Sequence, residues 1–215
     1  MQQLRQDTVE LEPPPLVVKR LGVVEYEPTW RAMQAFTAAR TPETPDEIWL
    51  LQHPPIYTLG VAGREAHLPR GRDDIPVIRI DRGGQITYHG PGQVVAYLLL
   101  DMKRRGLTVR PLVRRMEGAV IDSLADYGIS AAGRVEAPGV YVGAAKIAAL
   151  GLRVTRGCCY HGLALNVDMD LSPFNAIDPC GYPGLSVTQL KDLGVAAAPE
   201  LVADKLAASV MKVLR

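Results

Sequence analysis

The sequence predicts an α/β fold of the α+β type, in which a mixed β-sheet is flanked by helices. Strand-like and helical stretches alternate along the 215 residues without the regular period of βαβ units. No internal repeat is present. Because 47% of the residues are hydrophobic, the chain can bury the core of one complete domain. We expect that domain to span residues 16–215, preceded by a polar, disordered tail at residues 1–15 that ends in three prolines.

Helical periodicity is found in three stretches. Residues 29–40 carry Met33, Phe36 and Ala39 at helical spacing, and Thr29 is placed as an N-cap. Residues 111–127 and Pro199–Leu214 are the other two predicted helices. Their predicted inward positions are Val113, Met116, Val120 and Leu124 in the first and Val202, Leu206, Val210 and Val213 in the second.

Apolar runs rich in branched and aromatic residues predict the strands. Residues 47–52 and 94–100 are typical of buried strands. Val140–Val142, residues 146–155 and residues 161–167 are predicted as further strands.

Charge and composition exclude several classes of protein. Twenty-four basic and 23 acidic residues leave a net charge of +1, which argues against a nucleic-acid-binding protein with a wholly basic surface. No apolar run is long enough to span a membrane and no signal peptide opens the chain, so we expect a cytoplasmic protein. Three cysteines cannot form a disulfide framework. The four histidines do not stand at metal-ligand spacing, so we expect no metal.

The most informative run extends from Arg82 to Gln93 and holds four glycines within twelve residues. Glycine allows the backbone to approach a ligand closely, while Arg82 and His89 can donate hydrogen bonds to a carbonyl or phosphate. The spacing does not match the common nucleotide-binding loops. A glycine-rich hairpin between Ile80 and Val94 is the alternative.

The three thiols differ in their surroundings. Cys158 and Cys159 enter a strand-like run and are expected to be small buried hydrophobes. Cys180 lies between Pro179 and Gly181, away from any hydrophobic stripe, so it is the better candidate nucleophile. A nearby cation would favour its thiolate, and Lys146 is the only charge in a small, apolar run. Alternatively, Lys146 ends a strand and reaches solvent.

Several longer motifs together resemble a known family, the lipoyl(octanoyl) transferases of bacterial lipoate synthesis. The similarity extends over almost all of residues 16–190. It rests on the following segments: 49–60, 82–93, 139–151 with Lys146-Ile147-Ala148, 157–167 with His161-Gly162-Leu163-Ala164, and 175–181 with Pro179-Cys180-Gly181. Cys159 departs from the family pattern, where a small polar residue is expected.

The resemblance implies an activity. It implies an acyltransferase that moves an octanoyl group from octanoyl-acyl carrier protein to the lysine ε-amine of lipoyl domains, the first step of endogenous protein lipoylation. The acceptors would be the lipoyl domains of 2-oxoacid dehydrogenases and the glycine cleavage H protein. The implied fold is that of the biotin and lipoate protein ligases, and no cofactor, nucleic acid or membrane is implied as a partner.

The resemblance also implies roles for individual residues. Cys180 would form the acyl-thioester, and Lys146 would lower the pKa of its thiol. The acyl site would be lined by Arg82, Gly83, Gly84, Gln85, Ile86, Thr87, Tyr88, His89, Ala149, Leu150, Gly151, Gly162, Leu163 and Ala164. We include His161, because His89 and His161 both stand beside glycines in the site motifs and could orient the acyl carbonyl or the Lys146–Cys180 pair. His53 is expected to brace a loop over the site, and His67 to face solvent.

Six basic residues fall between Lys103 and Arg115 without a carboxylate in that stretch. This run is either a solvated face or a surface that docks an acidic carrier protein.

Two alternative functions stay open at this point. An ATP-dependent lipoate or biotin ligase would activate a free acid and would not need Cys180. A catalytically silent protein that binds acyl groups or lipoyl domains would show no turnover.

Overall fold

A mixed β-sheet forms the centre of the fold, as predicted. The computed structural model describes residues 15–178 and 184–214. In this part of the chain, seven strands form the large sheet. Their spatial order is β1 (Leu16–Val23), β2 (Asp46–Gln52), β6 (Gln93–Asp101), β10 (Cys158–Asn166), β9 (Ala145–Thr155), β8 (Val140–Val142) and β7 (Ala132–Gly133). The first two strands are parallel and the other pairs are antiparallel.

A second sheet of three strands lies beside the first. Its order is β4 (Val77–Arg79), β3 (Ile56–Leu59) and β5 (Ile86–His89). The glycine-rich run therefore does not form a hairpin, because β5 belongs to the small sheet and β6 to the large one. The chain crosses between them at Gly92, which has a φ of 85° and lies so close to the Asp168 carbonyl that a Cβ atom would overlap with it.

Three α-helices cover the large sheet. They are α1 (Tyr26–Ala38), α2 (Val109–Ala125) and α3 (Pro199–Leu214). Helices α2 and α3 pack on one face of the sheet in a single apolar core, and α1 covers the opposite face. No helix among the described residues is long and apolar enough to cross a bilayer.

All three predicted helices are present, but only α3 has the predicted bounds. Helix α2 begins and ends two residues earlier than predicted, and α1 ends at Ala38 rather than at residue 40. Helix α1 begins at Tyr26, so the N-cap assigned to Thr29 is wrong. The N-cap is Glu25, and the Thr29 hydroxyl instead donates to the Glu25 carbonyl at 2.7 Å. Ala39 is exposed just beyond the end of α1. A poor capping residue at position 25 gave no local signal for this start.

The inward faces of α2 and α3 are also shifted slightly. Leu112 and Leu214 are fully buried, whereas the predicted inward residues Val113 and Val213 are only partly covered. The remaining predicted stripe positions are buried.

Strand β10 begins three residues earlier than predicted and is distorted in its middle. Successive side chains of a strand normally point to opposite faces of the sheet. Here Tyr160 and His161 both reach the carboxylate of Asp81. His161 has a φ of 64°, a left-handed conformation that turns its side chain to the same face as Tyr160. Gly162 follows, where a Cβ atom would overlap with the Ala96 carbonyl oxygen of the neighbouring strand.

This distortion makes Gly162→Ala a destabilising change. The added methyl group cannot be placed without moving backbone, so we expect a loss of about 1–3 kcal/mol or more in the free energy of unfolding. Gly118→Ala is the matched control, because a Cβ atom at this position of α2 meets nothing within 4 Å. That change should be neutral or stabilising. If urea denaturation showed both variants to be equally stable, the expected overlap at position 162 would be wrong.

Candidate active site

A pocket lies between the large sheet and the small one. It encloses about 490 Å³, including the part open to solvent. All of the predicted acyl-site residues line it except Gly83 and Tyr88. Tyr26 from α1 and Val95 and Tyr97 from β6 also line it, and sequence reasoning missed them. The structure thus brings three separate glycine- and alanine-rich segments to one cavity.

The two predicted residues that are absent from the lining have other partners. Tyr88 alternates with its neighbours on β5 and packs between Tyr57 and Phe174, each with a ring centroid 5.5 Å away. The Gly83 amide donates to the Leu152 carbonyl at 2.8 Å and ties the glycine-rich run to β9. Both residues support the pocket wall from outside.

One wall of the pocket is built by the register between β9 and β10. Ala149 lies opposite Ala164, Leu150 opposite Leu163, and Gly151 opposite Gly162. The alanines and glycines among them leave space above the sheet. Gly151 also makes room for Arg82, whose Cδ would lie 3.1 Å from a Cβ atom at that position.

Arg82 forms part of the opposite wall and is held by β3. Its Nη2 donates to the carbonyl of Thr58 at 2.8 Å and to the Thr58 hydroxyl at 2.9 Å, while Nη1 donates to the Gly83 carbonyl at 3.0 Å. The side chain is buried. These bonds keep the guanidinium against the protein, so the pocket retains a mainly apolar interior.

Lys146 borders a smaller cavity next to the pocket, with a volume of about 290 Å³ including the part open to solvent. The two cavities share Thr87 and Ala149. Lys146 is only 3% exposed, so the alternative that it reaches solvent from a strand end is wrong. Its Nζ donates to the Pro138 carbonyl at 3.2 Å and lies 5.3 Å from the centroid of the Tyr141 ring.

The backbone of Lys146 pairs with a segment late in the chain. Its amide donates to the Ser186 carbonyl at 2.8 Å, and the Thr188 amide donates to the Lys146 carbonyl at 2.9 Å. Cys180, the predicted nucleophile, lies outside the described residues.

A carboxylate on α2 supports the loop around Lys146. The Gly139 amide donates to Glu117 Oε1 at 3.0 Å. Gly139 has a φ of 151°, and a Cβ atom there would lie 2.6 Å from Lys146 Cε. Sequence reasoning missed Glu117. The sequence does contain a sign of its role, because this carboxylate lies between Val113 and Val120 on the predicted inward stripe of the helix.

The two described cysteines are poor nucleophiles. Cys159 is fully buried in the core, as predicted, and burial raises the pKa of its thiol to about 12. Cys158 is partly buried, and burial also raises the pKa of its thiol. Both thiols therefore stay protonated at neutral pH.

Two histidines are buried beside the pocket. His53 Nδ1 donates to the Val24 carbonyl and its Nε2 accepts from the Tyr97 hydroxyl, both at 2.7 Å. The predicted bracing role of His53 thus has a physical basis in these bonds. His89 Nδ1 lies 2.7 Å from Gln93 Oε1.

His67 is half-buried and accepts from the Arg64 amide at 3.1 Å, so it is not fully solvent-facing.

Asp81 gathers four donors at the edge of the pocket. It accepts from Trp30 Nε1 at 2.8 Å, Gln34 Nε2 at 3.0 Å, His161 Nε2 at 3.1 Å and the Tyr160 hydroxyl. Burial alone would raise the pKa of this carboxyl, but the four hydrogen bonds hold its pKa well below the usual range. Sequence reasoning missed Asp81, although it stands directly before Arg82.

Comparison with known proteins identifies the family of the chain. Residues 25–211 match the lipoyl protein ligase A/B catalytic domain. The chain belongs to this family. An octanoyltransferase of Thiobacillus denitrificans is 66% identical over 87% of this chain and 86% of its own length. Another, from Nitrosomonas europaea, is 62% identical over 90% of this chain and 95% of its own length. These identities show that the chain is an acyltransferase.

Solved structures share the fold at low sequence identity. The bipartite lipoate protein ligase of Thermoplasma acidophilum aligns with a TM-score of 0.70 and 17% identity, covering 92% of this chain and 84% of its own. A biotin protein ligase of Aquifex aeolicus aligns with a TM-score of 0.60 and 12% identity, covering 95% and 71%. The predicted fold class is therefore confirmed.

The basic run between Lys103 and Arg115 is less exposed than its sequence indicates. Arg104 and Arg105 turn inward and, together with Arg40, form ion pairs with the fully buried Asp46. Arg114 pairs with Glu117 at 2.9 Å. Asp46 comes from another element, so the local sequence gave no sign of it, whereas Glu117 stands three residues after Arg114 on α2. The run is therefore not simply a solvated face.

The buried histidines predict a loss of stability in acid. Burial lowers the pKa of His53 to about 4 and that of His89 to about 3. Between these values and the unfolded pKa of about 6.5, the unfolded chain binds protons that the folded chain does not. The free energy of unfolding should therefore fall as the pH is lowered, by about 1.4 kcal/mol per pH unit for each histidine.

Urea denaturation at pH 7.5, 6.0 and 5.0 measures this slope. His53→Gln can keep both hydrogen bonds without titrating and should reduce the slope by one proton. An equal slope in the variant and in the wild type would contradict the assignment.

Proposed function

We propose that this acyltransferase moves an octanoyl group from acyl carrier protein to the lysine ε-amine of a lipoyl domain, through a thioester on Cys180 and without ATP. The observation that carries the proposal is a buried lysine, Lys146, on a small cavity that adjoins an apolar pocket and shares Thr87 and Ala149 with it. This arrangement suits an acyl chain whose reactive carbonyl lies near the lysine.

The dimensions of the pocket support an eight-carbon chain. On β9 the lining runs from Ala149 to Gly151, and on β10 it runs from Ala164 to His161, which advances roughly 10 Å at about 3.3 Å per residue. An extended octanoyl chain spans roughly 9 Å, given C–C bonds of about 1.5 Å. The facing pairs of β9 and β10 therefore line a groove of matching length.

The reaction proceeds in two exchanges. The Cys180 thiolate attacks the carbonyl of the donor thioester, and the carrier leaves as a thiol after taking a proton from the Lys146 ammonium, which leaves Lys146 neutral. The lysine amine of the acceptor then attacks the new thioester, Lys146 takes up the amine proton, and the Cys180 thiolate leaves. The first exchange replaces one thioester with another of similar energy. The second converts a thioester into a more stable amide, so neither step needs ATP.

The partners follow from this chemistry. The donor is octanoyl-acyl carrier protein, and the acceptors are the lipoyl domains of 2-oxoacid dehydrogenases and the H protein of glycine cleavage. The Thermoplasma ligase was solved in a study that also describes its E2 lipoyl domain, which supports a lipoyl domain as acceptor. We propose no cofactor for the reaction.

An ATP-dependent ligase is the second candidate function. It is favoured only by the fold, since a lipoate-protein ligase bound with ATP aligns at 16% identity. Such an enzyme would use free octanoate and ATP, and it would not require Cys180.

Cys180 should become octanoylated. After incubation with octanoyl-acyl carrier protein and no ATP, the intact mass of the enzyme should rise by one octanoyl group. Cys180→Ala should abolish this increase, and Cys158→Ala is the matched control that should keep it. Octanoylation of the Cys180→Ala variant would refute the assignment.

Lys146 should be required for the second exchange. Arginine keeps the positive charge but does not accept a proton at neutral pH, so Lys146→Arg should lower amide formation by about 10²-fold or more. Lys212→Ala, a change on the exposed side of α3, should have no effect.

The pKa role of Lys146 is measured separately. The pH dependence of Cys180 alkylation should shift upward in Lys146→Ala. An unchanged alkylation profile would show that Lys146 does not stabilise the thiolate.

A further inference from the structure

We propose that Thr87 is a further catalytic residue, whose hydroxyl stabilises the oxyanion that forms during acyl transfer. It donates a hydrogen bond to the acyl oxygen and keeps its own hydrogen throughout. The inference rests on the proposed function, because it takes the pocket to hold the acyl chain and Lys146 to lie beside the reacting carbonyl.

Thr87 stands at the junction of the two cavities. It lines the apolar pocket and also the smaller cavity that Lys146 borders, and Ala149 is the other described residue that lines both. Alanine has no polar side-chain atom, so Thr87 supplies the polar side chain at this junction. An acyl chain that lies in the pocket and points its carbonyl toward Lys146 brings the carbonyl group to this position.

The direction of the Thr87 side chain follows from the alternation of β5. On one side of this strand, Tyr88 packs against Tyr57 and Phe174, with 5.5 Å between the ring centroids in each pair. Its neighbours Thr87 and His89 therefore project from the opposite side, where both line the pocket.

The hydroxyl of Thr87 is available to a ligand. Within residues 15–178 and 184–214 it has no hydrogen-bond partner, and it does not belong to the side-chain atoms that are both unpartnered and sealed from solvent. Because Thr87 is 8% exposed and lines two cavities, its open surface lies inside the site. A hydroxyl rotates about its C–O bond, so its hydrogen can follow an oxygen placed beside it.

Two other neutral polar side chains border the smaller cavity, and both have protein partners. Gln93 Nε2 donates to Asn166 Oδ1 at 3.0 Å and to a backbone carbonyl at 3.3 Å, so both of its amide hydrogens are used. Asn166 Nδ2 donates to the Thr188 carbonyl at 3.0 Å. These bonds leave Thr87 as the neutral side chain best able to serve the acyl oxygen.

The oxyanion forms in both exchanges. In the first, the Cys180 thiolate uses its electron pair to form the new C–S bond, and the π pair of the carbonyl moves onto oxygen. Thr87 donates to that oxygen. The carbonyl then re-forms, the C–S bond to the carrier breaks, and the carrier thiol takes its proton from Lys146. In the second exchange the acceptor amine attacks, and the Cys180 thiolate leaves.

A hydrogen bond to this oxygen strengthens as the reaction proceeds. A charged acceptor makes a stronger hydrogen bond than a neutral carbonyl, and the difference is largest where water is excluded. An interaction that is stronger in the transition state than in the ground state raises kcat rather than affinity alone. Removal of one such donor typically lowers kcat by about 10²–10³-fold.

Single-turnover acylation of the full chain by octanoyl-acyl carrier protein, without ATP, tests the role. Thr87→Val replaces the hydroxyl with a methyl group of similar size. It should lower the acylation rate at saturating donor by about 10²–10³-fold, while the donor concentration for half-maximal rate stays nearly unchanged. Thr87→Ser keeps a hydroxyl and should stay within about tenfold of the wild-type rate.

Thr37→Val is the matched control. Thr37 is also 8% exposed, and within the described ranges its hydroxyl likewise lacks a hydrogen-bond partner. It lies on α1 and lines neither of the two cavities. This variant should acylate at the wild-type rate. If Thr87→Val does not fold, Thr87→Ala removes the same hydroxyl and is compared with Thr87→Ser in its place.

Alkylation of Cys180 by iodoacetamide distinguishes oxyanion stabilisation from damage to the site. This reaction displaces iodide from a tetrahedral carbon and forms no oxyanion, so its rate and pH dependence should be unchanged in Thr87→Val. A parallel loss of alkylation and acylation would show that Thr87 supports the thiolate or the fold, and it would overturn the proposal.

The remaining outcomes separate this role from the proposed function. Wild-type acylation together with an equal rate in Thr87→Val would refute the role of Thr87 and leave the proposed function standing. A loss confined to donor affinity would make Thr87 an ordinary binding contact and would also refute its catalytic role. If the wild type itself is not acylated, the proposed function fails and the role of Thr87 fails with it.

Discussion

The antiparallel register of β9 and β10 is the constraint on which the site depends. It sets Ala149, Leu150 and Gly151 opposite Ala164, Leu163 and Gly162. A shift of one residue would turn the side chains of these strands to the other face and fill the cavity with larger groups. Lys146 lies on the same strand β9, three residues before Ala149, and borders the adjoining cavity.

Hydrogen bonds hold each of the charged side chains around the site. Arg82 is held by Thr58, Asp81 by four donors, and Lys146 by the Pro138 carbonyl. Buried ionic groups are costly unless such partners are present. Glu117 extends this support beyond the cavity, because it fixes the Gly139 loop against which Lys146 lies. The pocket can therefore remain apolar although charged side chains surround it.

Much of the architecture could be predicted from the sequence because hydrophobic periodicity reports directly on burial. Helix α3 was predicted with its observed bounds, and the core strands β2, β6 and β9 to within one residue. Short strands of the small sheet, such as β4, have too few residues for a period to emerge. The start of α1 was missed because Glu25 is not a preferred N-cap.

The site was predicted where it is local in sequence and missed where it depends on distant contacts. The glycine-rich run and the motifs of β9 and β10 indicated the lining directly. The fold brings Tyr26 to the pocket, Asp81 to His161 and Glu117 to the Gly139 amide, and only these long-range contacts give the three residues their roles. Likewise, the inward turn of Arg104 and Arg105 depends on Asp46, which lies some 60 residues earlier in the chain.

The central claim is that the acyl group leaves its carrier before the acceptor arrives. Rapid mixing of the enzyme with excess octanoyl-acyl carrier protein, without ATP and without a lipoyl domain, tests it most directly when the carrier is analysed by mass spectrometry. The account predicts a burst in which one carrier molecule is deacylated per enzyme molecule. Absence of deacylation until a lipoyl domain is added would contradict a covalent intermediate and with it the account.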